Sequence, residues 1–357
     1  MTSQPSKGMY VCTLGTGGGP IVSASRAGTS TAVRVDGAVY LFDCGMGSIR
    51  NYRDHADWGE LRGIFLTHHH SDHIYDLGSY MVTGWEVPGE SFARPIEVHG
   101  PDSPIRRPAM SHDCGSSSEQ DFVGPAMTST VEIVDALLDR VFASDIAIRM
   151  ADEGRSDPHD WIQPRNIEIP ESAGAHPVDC RHPEMDPFIV YEDELVSISA
   201  ILVDHRLCFP AFGFRIDSEY GSVVISGDTA VSRNLERLAS DVDLLVHEVM
   251  DLPGILRTFP DGPTRDGIEA HLRESHTSYT EVGKVARRAN AKSLVLNHVV
   301  PNTPGAADLT TMRSTAACDF GGQVVIAEDN DVFEVRTDSM TSLTGPSISS
   351  EQVVQPV

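Results

Sequence analysis

Short apolar runs recur along the chain, and four of them are followed directly by residues that can bind a metal ion or carry a proton. A continuous apolar run of about four to eight residues is typical of a strand buried on both faces of a sheet. The functional sites of open α/β sheets lie at the carboxyl ends of the strands. The pattern therefore predicts an α/β fold with one site shared by four strand ends. The runs are 63–66, 222–225, 243–246 and 293–296, and the polar residues after them are 67–70, 226–228, 247–248 and 297–298.

Turn and capping residues predict the elements between these strands. Two strand-like segments, 31–35 and 38–42, flank Asp36-Gly37, a dipeptide typical of a two-residue hairpin turn. Ser278 and Glu281 have the spacing of a capping box, and apolar residues then recur at helical intervals. Helices are thus expected to alternate with strands, as in an α/β domain.

We expect one domain over residues 1–338, with an insertion at about 101–190. The insertion is rich in proline, serine and aspartate, and only 131–141 has clear helical periodicity. It is expected to contain one helix and long loops that act as a lid or as a dimer arm. The segment 339–357 is rich in serine, threonine and proline without a periodic apolar pattern, so we expect a disordered tail.

The charge of the chain bears on its partners. Among 357 residues, 52 are acidic and 27 are lysine or arginine, which gives a net charge of −25. A surface of this sign repels phosphate backbones at long range, so binding of nucleic acid would need a local basic patch. The composition therefore favours a small-molecule substrate over a nucleic acid.

The cysteines and the apolar runs bear on location. The six cysteines are scattered without a CxxC pair, which indicates free thiols in a reducing cytoplasmic compartment. No stretch approaches the roughly 20 apolar residues that a membrane-spanning helix needs, and no signal peptide is recognised at the start. A cytoplasmic protein without membrane contact is expected.

The strongest chemical signal is the hexapeptide His68-His69-His70-Ser71-Asp72-His73. Alternate residues of an extended loop point the same way, so His68 and His70 can converge on one ion while His69 points away. Asp72 and His73 then turn toward a second position nearby. Imidazole suits zinc and its neighbours, and a carboxylate helps to hold a second, harder ion. Four ligand-type residues after an apolar strand therefore predict a site for two metal ions.

Two ions need more ligands than one hexapeptide supplies. The strand ends nominate Asp228 and His298, and a further candidate is His205, which precedes the strand-like segment 212–216. Each of these residues alone would more simply be a hydrogen-bonded structural residue. Together they complete a ligand set.

These motifs and their order resemble the metallo-β-lactamase superfamily, and within it the branch that holds ribonuclease Z, the related arylsulfatases and small phosphodiesterases. The matching segments cover roughly residues 8–100 and 195–335. The motifs that carry the resemblance are His68-x-His70-x-Asp72-His73, His205 followed by Gly213-Phe214-Arg215, Ser226-Gly227-Asp228-Thr229, His247-Glu248, Ser275-His276-Thr277-Ser278 and Asn297-His298.

The resemblance implies a four-layer αβ/βα sandwich with a dinuclear site at one rim of two facing sheets, and a homodimer. It implies one ion held by His68, His70 and His205, a second held by Asp72, His73 and His298, and Asp228 as the bridge between them. Asp43 would support the site from behind. Two divalent ions are expected, with zinc favoured and manganese as the alternative.

The expected activity is a metal-dependent hydrolysis in which hydroxide on the metals attacks a small-molecule ester of phosphate, sulfate or carboxylate. Asp72 can accept the proton of the water, and the resemblance gives His276, paired with Glu248, the role of protonating the leaving alkoxide. Alternatively, His276 is only a capping residue of the helix after it. Two other functions remain open: a tRNA 3′-processing endonuclease like ribonuclease Z, and a lactonase or hydrolytic dehalogenase on the same scaffold.

Overall fold

The computed structural model describes residues 7–86, 89, 91–103, 128–177, 179–337 and 340–343. The strands in this part of the chain are β1 (Met9–Gly15), β2 (Ser30–Val35), β3 (Ala38–Phe42), β4 (Leu61–Phe65), β5 (Ile96–Pro101), β6 (Ile162–Ile167), β7 (Phe188–Glu192), β8 (Ser197–Leu202), β9 (Phe212–Ser218), β10 (Gly221–Ile225), β11 (Leu244–Met250), β12 (Ser293–Val300), β13 (Gln323–Ile326), β14 (Asp331–Val335) and β15 (Met340–Ser342). The α-helices are α1 (Ser48–His55), α2 (Ser71–Ile74), α3 (Leu77–Glu86), α4 (Thr130–Ala136), α5 (Ala143–Glu153), α6 (Arg233–Leu238), α7 (Leu252–Leu256), α8 (Pro263–Arg273), α9 (Tyr279–Arg288) and α10 (Leu309–Phe320).

The strands form two mixed sheets. The first has the order β15-β14-β1-β2-β3-β4-β5-β6, and the second has the order β13-β12-β11-β10-β9-β8-β7. In each sheet, antiparallel strands occupy one half and parallel strands the other. The carboxyl ends of the parallel strands β4 and β10 lead into the polar residues 67–70 and 226–228 that the sequence pattern singled out.

The turn between β2 and β3 forms as the sequence predicts. Asp36 and Gly37 have φ angles of 47° and 86°, the left-handed conformation required of both central residues in a type I′ turn. The two strands pair antiparallel from Val35 opposite Ala38 to Thr31 opposite Phe42. This register fixes which face of β3 each side chain occupies.

Alternating residues of the first sheet bury two separate apolar layers. On β3, Tyr40 and Phe42 pack into the core between the sheets, whereas Val39 and Leu41 pack toward the helices on the outer face. Helices α1, α3 and α4 cover that outer face. Residues of α6, α9 and α10 extend the core on the other side of the second sheet. The result is the expected four-layer sandwich.

The insertion contains more regular structure than the single helix expected for it. Helix α4 continues through a π-helical turn, Leu137–Val141, and is followed by α5, and β6 joins the first sheet parallel to β5. The sequence of β6, IQPRNI, buries only its terminal isoleucines, so it has no strand-like apolar pattern. Its proline fits because β6 is an edge strand.

The segment expected to be a tail begins with a strand. β15 pairs antiparallel with β14, so Met340–Ser342 form an edge strand of the first sheet. Residues 344–357 lie outside the described residues. No helix in the described part of the chain combines the length and apolar character needed to cross a membrane.

Candidate metal centre

Asp43 organises the loop that carries the histidine hexapeptide. It follows β3 with a left-handed φ of 59°, and its carboxylate accepts hydrogen bonds of 2.8 Å each from the backbone N–H and the hydroxyl of Thr67. The same carboxylate lies 2.8 Å from Nδ1 of His73. A carboxylate bound to one imidazole nitrogen fixes the orientation of the ring and leaves the other nitrogen for a metal. Asp43 thus has the supporting position that the resemblance implied.

One group of potential donors consists of His68, His70, His205 and Cys208, whose ligand atoms all lie within 4.8 Å of one another. Nδ1 of His70 and Nε2 of His205 are 3.1 Å apart. Nδ1 of His205 donates to the backbone carbonyl of Ser275 at 2.7 Å, which leaves Nε2 facing the group. Burial lowers the pKa of His205 to about 3, so its ring is neutral at physiological pH, as a metal ligand must be.

A second group consists of Asp72, His73, Asp228 and His298, again with ligand atoms within 4.8 Å. Oδ1 of Asp228 lies 3.2 Å from Nε2 of His298 and 3.4 Å from Nε2 of His73. Oδ2 of Asp72 lies 3.4 Å from Nε2 of His298. Asp228 also faces the first group, because its Oδ2 lies 4.0 Å from Nε2 of His68. The structure thus brings together all seven predicted ligands, and their role in binding ions stays a prediction.

Several polar atoms in these groups are buried without a hydrogen bond. Among them are Nε2 of His68, Nε2 of His73, Nε2 of His298 and Oδ1 of Asp228. Buried polar atoms are almost always hydrogen-bonded, and an unpaired one calls for an explanation such as an ion. Because these atoms converge and are of the types that bind zinc and similar ions, the residues present fit divalent cations.

The charges of the second group also indicate that it suits a divalent cation. Burial raises the pKa values of Asp72 and Asp228, but the neighbouring His73 and His298 rings outweigh it and hold both carboxyls ionised. Burial in turn lowers the pKa of His73 and His298, and the adjacent carboxylates outweigh it, so both rings hold protons. A divalent cation would replace those protons and neutralise the same carboxylates.

His276 and Glu248 form a pair beside the second group. Nδ1 of His276 lies 3.0 Å from Oε2 of Glu248 and 3.8 Å from Oδ2 of Asp228. The carboxylate of Glu248 is held in turn by the backbone N–H of Thr229 at 2.6 Å. Burial lowers the pKa of His276, but the carboxylate of Glu248 outweighs it and raises the pKa to about 9. His276 is therefore a cation at neutral pH, although the α9 N-terminus, capped by Ser278, follows it.

The apolar runs predict that Glu248 and His298 follow their strands. In the structure both residues lie inside strands, Glu248 in β11 and His298 in β12. The parallel pairing shifts register here: Glu248 pairs with Asn297 and Val249 pairs with Val299. His298 is left as an extra residue with a left-handed φ of 43°. Such a bulge redirects a side chain, and it turns His298 toward the site.

Two other histidines of the motifs lie outside the donor groups. Nε2 of His69 bonds to Oγ1 of Thr130 at 2.9 Å, so the ring points away from the site as alternation predicts. His247 is fully buried, and its Nδ1 donates to the backbone carbonyl of Glu248 at 2.8 Å.

The structure also places residues at the site that the sequence reasoning missed. Cys208 joins the first group, and its position three residues after His205 was the available signal in the sequence. The backbone N–H of Gly19 donates to Oδ2 of Asp72 at 3.0 Å. A Cβ on Gly18 would lie 2.4 Å from Nδ1 of His298, so only glycine fits there. The run of three glycines after β1, at 17–19, is the sequence signal for this close approach.

Comparisons with known proteins agree with this geometry. The sequence profile of the metallo-β-lactamase superfamily matches residues 25–91. The chain is 31% identical to ribonuclease Z of Mycobacterium marinum over 323 residues, which cover 90% of this chain and 97% of that protein.

Two solved structures share the fold. The metallo-β-lactamase fold protein YhfI from Bacillus subtilis matches with a TM-score of 0.58 and 19% identity, covering 93% of this chain and 100% of that one. Human tRNase Z, short form, matches with a TM-score of 0.54 and 20% identity, covering 91% and 99%. The expected fold is confirmed.

Proposed function

Because the chain belongs to the ribonuclease Z family of the metallo-β-lactamase superfamily, and is thus a metal-dependent hydrolase, we propose that it is an endoribonuclease that cleaves tRNA precursors at their 3′ side. The observation that supports this most directly is the His276–Glu248 pair beside the candidate metal centre. Phosphodiester cleavage releases an alkoxide, and a positioned imidazolium is suited to protonate it.

The expectation of a small-molecule substrate, with nucleic acid disfavoured, is wrong. The relatives that match the chain along nearly its full length are named ribonuclease Z. They agree with the alternative given in the sequence analysis, a tRNA 3′-processing endonuclease. The error has a physical reason: the net charge of −25 is a sum over the whole chain, whereas RNA binding depends on the local potential. Two divalent cations would add four positive charges at the point where a scissile phosphate must lie.

In the proposed reaction, one ion would be held by His68, His70 and His205. The other ion would be held by Asp72, His73 and His298, and Asp228 would bind both ions. When bound, two such ions supply positive charge to the phosphate and lower the pKa of a water molecule. The majority of imidazole donors favours zinc, with manganese as the alternative.

The remaining work belongs to protein side chains. Asp72 would accept the proton of the attacking water, while its Oδ2 is kept in place by the backbone N–H of Gly19. Nδ1 of His276 faces Glu248, so Nε2 is the ring atom left to donate. As the bond between phosphorus and the leaving oxygen breaks, that proton would pass to the alkoxide. His276 is partly exposed, which leaves it accessible to RNA.

The proposal is tested with a tRNA transcript that carries a 3′ trailer and a label at each end. We expect the chain, loaded with zinc or manganese, to make one cut at the 3′ side of the tRNA body and to leave mature tRNA intact. Binding should weaken as salt concentration rises, because phosphate contacts release counterions. Preparations that hold two ions per chain yet leave the precursor uncut at every salt concentration would contradict the proposal.

Two further expectations belong to this proposal. A cytoplasmic location suits an enzyme of tRNA maturation, and a homodimer is the assembly that the family resemblance implies. Sedimentation of the full chain at several concentrations measures the second of these directly.

A further inference from the structure

We infer that Cys208 is a further protein ligand, beside the bridging Asp228, of the ion held by His68, His70 and His205, and that its sulfur selects zinc for that position. The inference rests on the metal centre of the proposed function but not on its RNA substrate. It concerns a residue that the seven predicted ligands do not include.

The positions of the donor atoms support a single ion among these four residues. The sulfur of Cys208 lies within 4.8 Å of the ligand nitrogens of all three histidines. With zinc–nitrogen distances of about 2.0–2.1 Å, tetrahedral nitrogens lie roughly 3.3 Å apart. Nδ1 of His70 and Nε2 of His205 are already 3.1 Å apart. One pair of donors in the set therefore already has nearly the spacing of zinc ligands.

The backbone explains why Cys208 lies there. The N–H of Cys208 donates to the carbonyl of His205 at 2.9 Å, which closes a turn between the two residues. Arg206 within the turn has a left-handed φ of 49°. The turn folds Cys208 back beside His205, and Cys208 is only 8% exposed, whereas Leu207 between them is 47% exposed.

An independent observation comes from His68 and Asp228. Nε2 of His68 is fully buried, points into the group and has no hydrogen-bond partner. Asp228 is the other candidate donor to this ion, but its Oδ2 lies 4.0 Å from Nε2 of both His68 and His205. Its Oδ1 lies closer to the second group, 3.2 Å from Nε2 of His298. The carboxylate of Asp228 and the sulfur of Cys208 therefore both border the position of this ion, and the sulfur is the donor that belongs to the first group alone.

The two ions would then differ in kind. A thiolate added to three imidazoles makes a soft set of donors that favours zinc over manganese or magnesium. The second group offers two carboxylates and two imidazoles, which also accept harder ions. We expect the first ion to stay bound under conditions in which the second exchanges.

Cobalt substitution tests the inference without an activity assay. The full chain, stripped of metal and loaded with two equivalents of Co²⁺, is expected to show a sulfur-to-cobalt charge-transfer band in the near ultraviolet. Cys208→Ser should lose this band, whereas Cys180→Ser, which removes an exposed thiol, should keep it. X-ray absorption of the zinc-loaded protein should show a sulfur neighbour at about 2.3 Å.

Competition measures the metal selectivity. In excess Mn²⁺, the wild-type protein should retain one zinc ion. Cys208→Ser should bind that zinc ion about 10-fold more weakly or worse, because removal of even an outer-shell partner of a metal site costs at least that much affinity. If Co²⁺ binds at two equivalents without the band, the thiol is only a buried group next to the His69 backbone, and the inference is overturned while the proposed centre stands. If no Co²⁺ binds, both fail.

Discussion

Replacing His276 by alanine is expected to lower kcat for RNA cleavage by about 10²- to 10⁴-fold while the chain keeps its metal ions, because general acid catalysis contributes an effect of that size. The imidazole contacts Glu248 at 3.0 Å and belongs to neither of the two groups proposed to hold the ions. Removing it should therefore slow the departure of the alkoxide and leave metal binding unchanged. Single-turnover cleavage and elemental analysis of the same preparation measure both quantities.

His159→Ala is the matched control for this variant. His159 is exposed on the insertion and pairs with Asp157 at 2.7 Å, so its loss should leave kcat and metal content at the wild-type values. Loss of metal in His276→Ala, or an unchanged kcat with metal retained, would contradict the proposed role.

The change of Glu248 to glutamine tests whether Glu248 sets the pKa of His276, and the measurement is the pH dependence of kcat. The protonated ring is the active form, so activity is present below the pKa of His276 and is lost as pH rises through it. The carboxylate of Glu248 outweighs burial and raises that pKa to about 9. In Glu248→Gln the alkaline limb of kcat should therefore move to lower pH, toward the ordinary histidine value of about 6.5. A limb that stays in place would show that Glu248 does not set the pKa.

Replacing Asp228 by asparagine is expected to reduce the metal content from two ions to at most one. Asp228 is the only proposed ligand that faces both groups, and its carboxylate is ionised although it is buried. Asparagine lacks the negative charge of the Asp228 carboxylate, so the second ion loses much of the electrostatic attraction that holds it. An ion that stabilises the transition state by several kcal/mol accounts for about 10³-fold in rate, so turnover should fall by about that factor.

Asp243→Asn controls for the loss of a buried carboxylate in general. Asp243 lies at the opposite ends of β10 and β11, where it accepts hydrogen bonds from Ser222 and Lys292. This variant should lower stability but retain both ions, as measured by elemental analysis of folded protein. Two ions in Asp228→Asn would remove the bridging role from the proposal.

The parts of the molecule that the sequence predicts are those in which a few neighbouring residues decide the outcome. Asp36-Gly37 determines a two-residue turn through backbone conformation alone. The histidine hexapeptide places donors on one side of a loop through simple alternation, and His69 points away accordingly. Buried parallel strands reveal themselves because both of their faces are apolar.

The missed parts depend on contacts between distant segments. The bulge at His298 exists only in the pairing of β11 with β12, so the apolar run alone ends the strand too early. Cys208 lies in the first group because a turn closed by the hydrogen bond from its N–H to the carbonyl of His205 folds it back, and local sequence patterns did not predict this turn. The strand β6 is held by hydrogen bonds to β5 rather than by an apolar pattern.

The candidate donors come from both halves of the sandwich, since Asp72 and His73 follow a strand of one sheet while Asp228 and His298 belong to the other. Ions shared between them would bind only the native chain, in which the halves are assembled. Free metal then enters the unfolding equilibrium: at 100 times its dissociation constant, such an ion adds about 2.7 kcal/mol. We therefore expect the folded fraction of the chain to fall when metal is withdrawn, so that the supply of the ion would affect the stability of the protein as well as its activity.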